Sequence, residues 1–93
     1  MELLRVSTAR DELTWIKNRA LTLISDNEMG DIDLDDDYIH LLNDVITECK
    51  RLLDIVESFP AVVKFNDNDA TMYEDLISKK SIIHDLCGDS EEN

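Results

Sequence analysis

The chain is short of the residues that reverse direction. Two Gly and one Pro in 93 residues leave too few turns for a many-stranded sheet, which excludes sandwiches and barrels. No apolar run approaches the ~20 residues of a membrane span. The opening residues MELLRVSTARDELT lack the apolar core and small-residue cleavage site of a secretory signal. Cys49 and Cys87 are the two cysteines. They suffice for one disulfide, yet nothing marks an oxidising compartment, and a cytoplasmic protein is expected. Bases are scarce too. Nine Lys and Arg stand against 22 acids, a net charge of −13. So negative a chain is ill suited to direct contact with DNA, RNA or an anionic membrane, each of which needs a basic surface. It favours basic partners, including proteins whose own ligand is a nucleic acid. Solubility alone is the competing reason for such a charge.

What is present is helical periodicity. Within Leu34–Phe59 the residues Leu34, Tyr38, Leu41, Leu42, Val45, Ile46, Cys49, Leu52, Leu53, Val56 and Phe59 recur at helical spacing. The stripe is wider than the roughly 100° of a one-sided helix, which suits a central helix with more than one neighbour. Pro60 marks its end. Before it, Ala9, Leu13, Ile16, Ala20, Leu23 and Ile24 form the stripe of a first helix. That helix is expected from Ser7–Ala9, where Ser7 or Thr8 provides a cap, to about Ser25. Ala20 is small enough to let the central helix come close. Trp15 falls off the stripe. It is covered by another segment, or is a surface anchor of the kind enriched in binding hot spots, or buries itself against a second copy.

The compositional break is DNEMGDIDLDDD, Asp26–Asp37, with seven acids and no base. It joins the first two helices, with Gly30 as a turn or C-cap residue. Beyond Pro60, AVVKF (61–65) has strand composition but no convincing partner in the chain. It is read as an extended connection, unless it adds to an edge in another protein or another copy. Asn66–Asp69 is rich in cap residues, and a third helix is expected from near Asp69. Its face carries Met72, Tyr73, Leu76, Ile77, Ile83 and Cys87, with Lys80 in the middle. Either Lys80 snorkels or the helix breaks at Lys79–Lys80–Ser81. The expected architecture is all-α: one domain over residues 1–87, a small bundle of three main helices around a long central one. A disordered acidic tail is expected over 88–93.

No catalytic constellation stands out. Ser, Cys and His are scattered without a local nucleophile–base signature, and no Gly-rich phosphate loop exists, so no enzyme activity is expected. A calcium loop needs Gly at position 6 and Glu at position 12. Counting from Asp31 those positions hold Asp36 and Leu42; counting from Asp33 they hold Tyr38 and Asp44. His84 and Cys87 share a helix face, but His40 lies opposite Cys49 and no zinc signature is present. No metal or cofactor is expected.

The acids themselves are the candidate site. Carboxylates at a helix N-terminus oppose the dipole, yet one or two would serve, and seven in so short a run repel one another. Asp26, Glu28, Asp31, Asp33, Asp35, Asp36 and Asp37 form the core of a candidate partner-binding surface. Asp44 and Glu48, one helical turn apart, extend it along the central helix, with Trp15 or Met29 as anchors. The plainer account of the extension is a solvated face with Glu48–Arg51 and Lys50–Asp54 at ion-pair spacing. In size, acidity and lack of a catalytic signature the chain is similar to small phage proteins that disable host defence. Anti-CRISPR proteins and other nucleic-acid mimics belong to that group, and toxin-neutralising immunity proteins share the same traits. The likeness is one of composition and implies no residue role. The expected function is inhibition of a basic, nucleic-acid-binding protein. The alternative is a helical adaptor or immunity-type subunit that self-associates and is acidic only for solubility.

Overall fold

The structure, a computed structural model, describes residues 3–87. In chain order these form strand β1 (Leu4–Arg5), helix α1 (Val6–Met29), helix α2 (Asp36–Glu57), strand β2 (Val62–Val63) and helix α3 (Asp67–Cys87). The architecture is the expected small all-α bundle, with one addition. β1 and β2 pair antiparallel, Leu4 opposite Val63 and Arg5 opposite Val62, so the AVVKF stretch finds its partner in the residues just before α1. Two residues per strand are too short to read from the sequence. The ribbon is held by the bundle beneath it, where Val63 and Phe65 are buried.

The ribbon also sets where α1 begins. The Val6 N–H donates to the Ala61 carbonyl at 2.9 Å, so the first helical N–H is satisfied from across the ribbon, and Arg5 at the cap makes no side-chain bond. The helix therefore starts ahead of Ser7. It runs a turn past Ser25 to Gly30, whose φ of 84° is the left-handed conformation favoured after a helix. The Gly30 N–H donates to the Asn27 carbonyl and the Asp31 N–H to the Asp26 carbonyl, the paired bonds of a Schellman stop. Along α1, Val6, Ala9, Leu13, Ile16, Ala20 and Leu23 are buried, a spacing of alternate threes and fours.

α2 buries Leu42, Val45, Ile46, Cys49, Leu52, Leu53 and Val56, the heart of the expected stripe. Its ends lie inside the expected ones. Leu34 is not helical, because its N–H donates to the Asn27 side chain at 2.9 Å. Tyr38 is exposed instead of joining the stripe. At the other end the Ser58 hydroxyl donates to the Ile55 carbonyl at 2.6 Å, and Pro60 follows. α1 packs most extensively on α2 and also holds α3, while α2 and α3 meet more sparingly. So α1, with fully buried Ala9 and Ala20 allowing close approach, shares the central role expected of α2 alone.

α3 starts two residues before Asp69 because Asn66 is the cap. Its side-chain oxygen accepts from the Asp69 N–H at 2.8 Å, as an N-cap does. α3 continues unbroken through Lys79–Lys80–Ser81. Lys80 stays in the helix because its Nζ reaches Glu12 of α1 at 2.9 and 3.2 Å. The residues assigned to a disordered tail, 88–93, and the Cys87 side chain lie outside what is described.

Candidate functional site

The acidic stretch occupies one region of the fold. From Ala20 to Cys49 the chain has nine acids and no Lys or Arg, and this stretch is the distal half of the α1–α2 hairpin together with its connecting loop. The nine are Asp26, Glu28, Asp31, Asp33, Asp35, Asp36, Asp37, Asp44 and Glu48. The other 63 residues hold the remaining 13 acids and all nine bases, since 93 − 30 = 63 and 22 − 9 = 13. The negative charge is therefore uneven. It is concentrated in the part of the hairpin that lies between Arg19 and Lys50.

The loop has a period of two. In Asp31–Ile32–Asp33–Leu34–Asp35 the two apolar residues pack half-buried against the core, while all three aspartates are exposed. Alternation in an extended segment sends neighbouring side chains to opposite sides. The backbone is pinned by the Asp26 carbonyl, which accepts from Asp31 and Ile32, and by the Asn27 side chain. The acidic loop is thus a fixed edge. Asp35 makes no side-chain cap bond to α2, and Asp36 and Asp37 in the first turn are exposed. Their carboxylates oppose the helix dipole and face solvent. Glu28 and Asp44 are exposed, and Asp26 is half-buried. Met29 is 67% exposed at the same tip.

Glu48 differs from the rest. It is half-buried, and its Oε1 is buried with no hydrogen-bond partner. Lys79 of α3 bonds Asp75 on its own helix at 2.8 Å and lies in the field of Glu48 and Asp44. The Asp75 bond first, then the nearby carboxylates, raise the Lys79 pKa against the opposing effect of burial. The Glu48–Arg51 pairing is replaced by a longer reach, Arg51 to Asp69 of α3 at 3.3 Å.

Trp15 is not brought to the acidic tip. It packs half-buried on the core, its ring 4.6 Å from that of His84 and tilted by 33°. The Arg19 and Lys80 cations lie 5.4 and 5.1 Å from its centre, within cation–π range. Of the three settings open to it, α3 covers it from within the chain. Asn27, Ile32 and Lys79 were not read from the sequence as parts of this region, and Leu34 was read as the start of the central helix instead of a loop residue. Of these, only the alternation around Ile32 and Leu34 was there to be read.

The chemistry of this region is that of a charged surface. Among the described residues no group of three or more His, Cys, Asp and Glu is placed to hold a metal ion. The one described thiol, Cys49, is fully buried. Burial, and then Glu48, push its pKa up to about 12, with Lys17 pulling the other way, so at neutral pH it is no nucleophile. Tyr73 is likewise raised, by burial and then Glu12. No helix among the described residues is long and apolar enough to cross a membrane. The chain matches no family model, no curated protein and no solved structure.

Proposed function

We propose that the protein works by contact, without catalysis, and docks the acidic half of its α1–α2 hairpin onto a basic surface of another protein. The observation that carries this is the thirty-residue stretch with nine acids and no Lys or Arg, folded so that Asp31, Asp33 and Asp35 point outward from a pinned loop. A partner whose basic groove otherwise holds DNA or RNA fits such a surface, and occupying the groove inhibits it. Clustered charge speeds encounter and makes it salt-sensitive. Exposed Met29, at the same tip, is the apolar anchor. Trp15, engaged with α3, contributes to the bundle instead. The adaptor reading is less well supported, because the two segments it would bury between copies, the AVVKF stretch and Trp15, both have partners within the chain.

The test uses tagged protein, host-cell lysate and a salt gradient. The captured partner should bind nucleic acid itself, elute at raised salt and be released by added DNA or RNA. Replacing Asp33, Asp35 and Asp36 together by Lys should weaken capture by roughly tenfold or more. Recovery of the chain alone, as a salt-resistant oligomer, would favour the adaptor instead.

A further inference from the structure

A patch of the opposite charge lies on the seam between α1 and α3. Residues 13–25 of α1 and 76–84 of α3 contain no acid and four of the nine bases, Lys17, Arg19, Lys79 and Lys80. The two stretches meet at Trp15. The His84 ring lies 4.6 Å from the indole, the Lys80 Nζ 5.1 Å and the Arg19 Cζ 5.4 Å from its centre. Two cations and an imidazole thus gather around one aromatic ring in a chain of net charge −13. Their charges are not equally satisfied. Lys80 donates to both oxygens of Glu12, at 2.9 and 3.2 Å. Arg19 is exposed, and among the described residues its side chain makes no ion pair or hydrogen bond. In a chain with 22 acids this is not for want of carboxylates. The guanidinium rests against the indole instead, where its N–H donors stay uncommitted.

We propose that Trp15, Arg19, Lys80 and His84 form an anion site that takes a phosphate group, free or at the end of a small phosphomonoester. Arg19 supplies the planar fork that grips two phosphate oxygens. Lys80 has a further N–H beyond those given to Glu12, and His84 borders the site from α3. A tetrahedral dianion has oxygens enough for donors arriving from two helices, whereas a carboxylate is filled by the fork alone. The acidic tip weighs little here. Its first acid, Asp26, is seven residues along α1 from Arg19, roughly 10 Å of rise, which exceeds the screening length of about 8 Å at physiological salt. The site depends neither on the acidic tip nor on the function proposed for it.

Trp15 is the single tryptophan, so its fluorescence reports on the site directly. At about 0.15 M ionic strength, sodium phosphate added to the full chain should change that fluorescence saturably, in the low millimolar range. The amide resonances of residues 15–19 and 80–84 should shift with it. Sodium chloride and sodium acetate at matched ionic strength should do neither. Arg19→Gln, at an exposed position, should weaken phosphate binding by about tenfold or more and leave the urea midpoint unchanged. Arg19→Lys keeps the charge without the fork and should recover only part of the binding. Adenosine monophosphate distinguishes the sources: affinity equal to that of phosphate marks recognition of the phosphate alone, and higher affinity marks a nucleotide. Absence of both the fluorescence and the amide response would overturn the site. So would acetate binding as well as phosphate, or phosphate binding that Arg19→Gln leaves intact; Arg19 would then serve only to pack on Trp15.

Discussion

α1 and α2 contribute six and seven buried residues to the core, and no described ion pair runs between them. Among its described residues α3 contributes three buried apolar side chains, with Ala70, Met72, Ile77 and Leu86 half-buried beside them, and a buried aspartate, Asp69, and is also tied by Arg51 and Glu12. The first kind of contact rests on removing apolar surface from water, which salt does not screen. The second adds charge pairs that are partly sheltered, with Asp69 buried and Glu12 and Lys80 half-buried, so salt screens them less than it would surface pairs. Added salt therefore relieves the self-repulsion of the exposed acids more than it loosens the sheltered ties of α3. A molecule held this way has one half that displays charge and one that is joined to it by ion pairs as well as by apolar packing.

Core truncation should separate the two most sharply. Leu52→Ala, at a fully buried α2 position, should cost about 2–5 kcal/mol in urea unfolding, the usual range for a large-to-small core change. Ile77→Ala, half-buried on α3, should cost about 1 kcal/mol, in proportion to the smaller area removed from water. Equal costs would erase the comparison.

Alkaline pH probes the core through its buried thiol. A folded pKa above the ordinary value means that the folded state holds its proton more tightly. The stability this gives is complete below the unfolded value and is lost as pH rises through the folded one. For Cys49 the window runs from 9.0 to about 12, and the loss has an upper bound of about 4 kcal/mol at ~1.4 per unit. Tyr73 and Lys79, both raised, act in the same direction. Unfolding midpoints measured from pH 8 upward should fall, and Cys49→Ala should flatten the fall. An unchanged slope in Cys49→Ala would mean that the thiol is not the group responsible.

The apolar half was the legible half. The buried positions of α2 and of α1 follow from helical spacing, and Gly30 declares the stop between them. What escaped the sequence depends on partners far along the chain. Val6 begins α1 because Ala61 satisfies it, and Lys80 is tolerated because Glu12 receives it 68 positions away. Periodicity reports which face of one helix is apolar. It does not report which charged residue of another helix will meet it. The candidate surface divides in the same way: the loop acids were readable as a run, whereas the burial of one Glu48 oxygen was not.

Glu48 marks the border between the halves. A buried carboxylate oxygen without a hydrogen bond costs stability, about 1–3 kcal/mol when nothing offsets it, and here the nearby Lys79 offsets part. Glu48→Met should therefore raise stability by about 1 kcal/mol in urea unfolding. A destabilised variant would show that the attraction of Lys79 outweighs the missing hydrogen bond.

The smallest effect belongs to the tip, and it isolates the backbone. Gly30 sits at φ 84° with open space around its α-carbon, so Gly30→Ala introduces no clash and removes no contact. Its cost is the penalty of placing an L side chain in the left-handed region, roughly 1 kcal/mol. A urea midpoint lowered by that amount, with capture of a basic partner unaffected, would mean that the loop keeps its course under strain. If capture falls with stability, the outward row of Asp31, Asp33 and Asp35 depends on the Schellman stop that Gly30 completes, and the display of charge is a property of the turn as much as of the acids.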